Sequence, residues 1–92
     1  MPTLARVFCV LYNAVYGLEQ DKSISSELRT SVKSLKYRPA KALCEEALTM
    51  AVFLSQKRKP HEVALSNEIE RTKTAAQFLH YCIKSCYNKG SS

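Results

Sequence analysis

Apolar residues recur at helical spacing in four successive segments of this chain, and short polar or proline-marked breaks separate them. The first predicted helix covers residues 3–16, with Pro2 and Thr3 suited to a helix start and Gly17 to a left-handed stop. Leu4, Val7, Phe8, Val10, Leu11, Val15 and Leu18 cover nearly its whole circumference, which predicts burial on several sides. After the polar stretch LEQDKS, Ser23 or Ser25 can cap a second helix with Glu27 in its first turn. Ile24, Leu28, Val32 and Leu35 then form one apolar stripe, and Arg29, Lys33 and Lys36 repeat the spacing on an adjoining face.

Arg38-Pro39 breaks or kinks the chain, because a residue before proline is pushed out of the α region. A third helix, or a kinked continuation of the second, is predicted over residues 39–57. Leu43, Ala47, Met50, Ala51 and Leu54 form its core stripe, widened by Leu48, Val52 and Phe53. Pro60 stops it. The fourth helix begins near His61 and ends near Tyr87, with Gly90 just beyond. Leu65, Ile69, Thr72, Ala76, Leu79, Ile83 and Cys86 follow steps of four and three through about three heptads. Such a seam is about 40 Å long at 1.5 Å per residue, and it predicts pairing with a second copy.

Composition agrees with this pattern. Ninety-two residues make one domain, and 46% hydrophobic content with only two glycines and three prolines favours packed helices. A chain this short buries only about 60–65% of its unfolded surface, so a second copy would widen a thin core. The expected architecture is all-α: a compact four-helix single domain over residues 1–88, in a homodimeric bundle, with a flexible tail at 89–92. Cys9, Cys44, Cys82 and Cys86 are too few and too oddly spaced for a secreted disulfide scaffold and are expected to be reduced, buried thiols. LARVFCVLYNAVYGL is too short, and too interrupted by Arg6 and Asn13, to span a bilayer. It also lacks the marks of a signal peptide. The expected location is intracellular and cytoplasmic.

Charge adds the functional clue. Residues 22–59 hold nine bases against three acids, a net +6, while the remainder sums to zero. Lys57, Arg58 and Lys59 together exceed what a helix C-terminus needs to complement its dipole. With Arg29, Lys33, Lys36, Arg38 and Lys41 they predict an extended cationic row for a polyanion. No zinc-finger spacing, RNP-type strand motif or helix-turn-helix accompanies the row, so backbone shape is the expected target. Double-stranded RNA is the duplex most often recognised that way. Tyr37 is placed to stack on a sugar or base, although packing is the commoner role for such a tyrosine.

The charged helix, the leucine- and alanine-rich run ending in Lys59-Pro60 and the following Val63-Ala64-Leu65 resemble the helix, Lys-Pro break and short helix of nodavirus RNA-silencing suppressors. The resemblance covers residues 26–66. It implies a viral, all-helical antiparallel homodimer in the host cytoplasm that binds one face of double-stranded RNA without sequence preference and shields it from the dicing nuclease.

Other constellations read as structural. Cys82 and Cys86, one turn apart, would need two further ligands to hold a metal. Glu45 and Glu46 point in different directions on a helix and suit a solvated face. His61 and His80 have no partner at catalytic spacing, and no phosphate loop or nucleophile elbow is present. No catalysis, cofactor, metal or small-molecule substrate is expected. The competing function is a small helical adaptor whose apolar helices bind an acidic protein partner. Attachment to a membrane surface is weaker, because the bases lie mid-chain.

Overall fold

The computed structural model describes residues 4–91, with the side chains of residues 4–85. Four α-helices carry the fold: α1 (Leu4–Gln20), α2 (Ser26–Ser34), α3 (Ala40–Lys57) and α4 (Val63–Ser91), with a 3-10 turn, Leu35–Tyr37, after α2. No strand occurs among the described residues. The all-helical, four-helix expectation holds, and α4 continues helical through Ser91, beyond the expected end near Tyr87.

Local chemistry explains most boundaries. Ser25, with extended backbone, caps α2 by accepting a hydrogen bond from the Leu28 N–H at 3.3 Å. Arg38 and Pro39 are both extended, so the chain reverses there instead of continuing α2. Arg58 leaves α3 in an extended conformation, and Glu62 then opens α4. The Lys59 N–H donates to Glu62 Oε1 at 2.7 Å while the Glu62 N–H donates to the Lys59 carbonyl at 3.0 Å, a reciprocal pair that closes the turn. That backbone donor, helped by Ser23 and nearby cations, holds the Glu62 carboxyl below its ordinary value.

One stop differs from expectation. Gly17 lies inside α1, and no described glycine has positive φ. A Cβ there would collide with the Glu68 carboxyl of α4, so the glycine leaves room for that side chain and does not act as a cap. α1 ends three residues later at Gln20, where the Glu19 carbonyl of its last turn and the Asp21 carbonyl just beyond accept from Arg29 of α2.

Packing closes a ring: α4 lies against both α1 and α3, α1 against α2, and the 3-10 turn against α3. Gly17 faces Glu68 while Val7 and Val10 share a cleft with Ala75 and Phe78, and Lys41 faces the region of Lys84, so α1 and α3 both run antiparallel to α4. The result is an antiparallel bundle of 47 × 22 × 20 Å whose long dimension is the 29-residue α4. Leu11, Leu18, Val32, Leu43, Ile69 and Leu79 are fully enclosed at its centre.

The expected dimer seam is part of that centre. Leu65, Ile69, Thr72, Ala76, Leu79 and Ile83 are all buried within one chain, none more than 9% exposed. Ala75 widens the stripe, and the Thr72 hydroxyl is satisfied by donating to the Glu68 carbonyl at 2.9 Å. An antiparallel bundle and a coiled-coil dimer use the same heptad spacing, and here the stripe faces the chain's own α1 and α3. Cys86, the last expected seam position, lies outside the described side chains. Cys44 is buried, and its surroundings push the thiol up, whereas Cys9 is exposed on α1, contrary to expectation.

Candidate functional site

The eight cations expected to form one row divide into groups with different occupations. Arg29 is bound into the fold: its Nε donates to the Glu19 carbonyl at 2.9 Å, and its Nη2 to the carbonyls of Asp21 at 2.9 Å and Ile24 at 3.5 Å. A planar guanidinium is suited to cap a helix end in this way. Lys36 places Nζ 2.9 Å from Oε2 of the buried Glu19 and 5.7 Å from the Tyr16 ring centroid. Contact with that carboxylate holds the Lys36 ammonium above its ordinary value. Arg38 pairs with Glu46 at 3.3 Å. Lys57 Nζ lies 5.6 Å from the Phe53 ring centroid. Lys33, Lys41, Arg58 and Lys59 are exposed.

These groups have different neighbours. Arg29 of α2 and Lys36 of the 3-10 turn both reach the C-terminal end of α1. Leu28, Ser31 and Leu35 line a groove of about 430 Å³ with Glu46, Met50 and Phe53 of α3. On α3, Lys41 and Lys57 sit sixteen positions apart, about 24 Å along a straight helix. Exposed Glu45, Glu46, Thr49, Val52 and Phe53 lie between them in sequence. Of the eight cations, Arg29, Lys36 and Arg38 thus have partners within the chain, while Lys41 at the start of α3 and Lys57–Lys59 at its end form two basic corners of that helix, with Lys33 exposed on α2.

A more continuous feature lies between α1 and α4. Val7 and Val10 of α1 and Ala75 and Phe78 of α4 line an open cleft of about 600 Å³, with Arg6, Glu70 and Arg71 as its ionic lining. Val10 is 50% exposed, Phe78 44% and Tyr81 68%, the last standing three residues after Phe78 on an adjoining part of the same helix face. Soluble domains seldom leave large apolar groups gathered in solvent without a use for them. Sequence reasoning treated Val10 as core and passed over Phe78 and Tyr81. Two signals were present: α1 is more apolar than its neighbours can cover, and two aromatics stand off the heptad stripe.

Among the described residues no group of His, Cys, Asp and Glu side chains is arranged to hold a metal, and no helix is long and apolar enough to cross a membrane. Comparison with protein-family models, with curated proteins and with solved structures finds no match.

Proposed function

We propose that this chain is a helical docking domain that takes an acidic amphipathic helix of a partner protein in the cleft between α1 and α4. The observation that carries the reading is the gathering of Val7, Val10, Ala75 and Phe78 around one open, predominantly apolar concavity. A groove between two antiparallel helices suits an incoming helix that inserts side chains at i, i+3, i+4 and i+7. The acidic character of the partner follows from the chain's net charge of +6; within the cleft's lining Arg71 is already paired with Glu68 at 3.5 Å. The field of the basic corners steers an acidic segment inward, while the apolar contacts set its residence time.

A designed peptide with leucine at the four anchor spacings and glutamate elsewhere tests this, beside a counterpart carrying lysine in place of glutamate. Backbone amide shifts on adding the acidic peptide are expected to centre on Val7, Val10, Ala75 and Phe78, with the lysine peptide binding far more weakly. Equal binding of both peptides, or shifts centred on Lys57–Lys59, contradicts the reading. A second copy is the competing occupant of the cleft and would show as a doubled mass in sedimentation.

One observation favours a second reading, duplex RNA. Lys57, Arg58 and Lys59 are all exposed at a single corner. Each duplex phosphate they neutralise would add roughly 0.9 to the slope of log affinity against log salt, on the scale known for DNA. Gel shifts with duplex RNA at several salt concentrations test it, and binding unchanged by alanine at all three positions excludes that corner.

A further inference from the structure

At the opposite end of α3, its first turns and the C-terminal half of α4 line a third concavity, of about 640 Å³, with Lys41, Glu45, His80, Ile83 and Lys84 on its walls. The residues are arranged as two one-turn pairs, Lys41 with Glu45 on α3 and His80 with Lys84 on α4, facing each other across the antiparallel contact. Two lysines from different helices thus line one concavity. No acidic side chain pairs with either within 4 Å among the described residues, although Glu45 stands one turn from Lys41. Convergent like charges repel each other in a concave site and favour occupation by an anion.

We propose that this cavity binds a phosphorylated sugar or nucleoside. Lys41 and Lys84 supply two point charges with rotatable donors for a phosphate dianion, and His80 adds a ring donor. A bare anion would meet repulsion from Glu45. A sugar phosphate turns that carboxylate into an acceptor for a hydroxyl, while the largely buried Ile83 offers an apolar wall to a ring. The volume lies within the range of small-molecule sites. This site is separate from the α1–α4 cleft and stands or falls without it.

The test is titration of the isotope-labelled chain with adenosine monophosphate, inorganic phosphate and adenosine in parallel, following the backbone amides of Lys41, Glu45, His80 and Lys84. The monophosphate is expected to bind with a dissociation constant near or below about 1 mM, inorganic phosphate more weakly, and adenosine not detectably. Both lysines are exposed, so the Lys41→Ala/Lys84→Ala chain is expected to keep its melting temperature while losing roughly tenfold or more in affinity. Glu45→Gln is expected to weaken the monophosphate about threefold and leave or improve phosphate binding. Absence of shifts at these amides, phosphate binding as tight as the monophosphate, or affinity unchanged in the double variant overturns the proposal.

Discussion

Replacing Arg29 by alanine removes the donor that closes the end of α1 onto the start of α2. Two of its bonds, to the carbonyls of Glu19 and Asp21, are 2.9 Å long, and the third, at 3.5 Å, is marginal. A hydrogen bond involving a charged group contributes about 1.5–3 kcal/mol when its partner is left unsatisfied. Arg29 is only partly buried, and water can reach the freed carbonyls, so the two good bonds together are set at about 2–3 kcal/mol. Stability of 0.05–0.15 kcal/mol per residue gives a domain of this length about 5–14 kcal/mol in all. At 4–8 °C per kcal/mol for small domains, Arg29→Ala should lower the melting temperature by about 8–24 °C. Thermal and urea unfolding followed by far-ultraviolet circular dichroism measures both quantities. Lysine keeps the charge but not the planar fork, so Arg29→Lys should recover only a minor part. Lys33→Ala, on the same flank but exposed, should change stability by less than about 0.5 kcal/mol. If Arg29→Ala melts within about 2 °C of the parent, the capping role is wrong and the residue is available for a ligand.

Gly17→Ala gains about 0.5–1 kcal/mol of helix propensity. The nearest group it meets is the far end of the flexible Glu68 side chain, which can move aside, so the variant should melt slightly higher than the parent, and a loss of several degrees would show that Glu68 cannot move. Leu79→Ala should cost about 3–5 kcal/mol and leave the molecular mass unchanged, whereas a dimer-seam role would show as dissociation of a larger species in sedimentation. For Glu62 the sign follows from its lowered carboxyl value. The folded form prefers the carboxylate, so its contribution is present above the ordinary carboxylate pKa and is lost as pH falls through the lower folded value. Melting temperature against pH should therefore fall less steeply on acidification in Glu62→Gln than in the parent.

Helix number and several breaks were legible because they are decided locally. Proline restricts the residue before it wherever the chain goes, which is why Arg38-Pro39 and Lys59-Pro60 fall at turns, and the Ser25 cap needs only its own first turn. Decisions taken across the fold were not legible. Gly17 has the local chemistry of a stop, but Glu68, remote in sequence, makes it a contact point within α1. The heptads of α4 specify a partner stripe without saying whether it belongs to the same chain. The partners of the engaged cations share this cause. Arg29 is matched to backbone carbonyls, which no periodicity displays, and Lys36 to a glutamate that closes the preceding helix. Counting charges between residues 22 and 59 located the excess correctly and said nothing of how much was already engaged.

The docking claim is tested most directly by titrating the acidic amphipathic peptide into two variants, Phe78→Ser and the triple alanine variant at Lys57, Arg58 and Lys59, and comparing dissociation constants with the parent. Removing a central aromatic anchor is expected to weaken binding about 30-fold or more, and removing the remote corner charges about threefold or less, chiefly through a slower association rate. The reverse order, with the triple variant abolishing binding and Phe78→Ser leaving it intact, would contradict the assignment of the α1–α4 cleft.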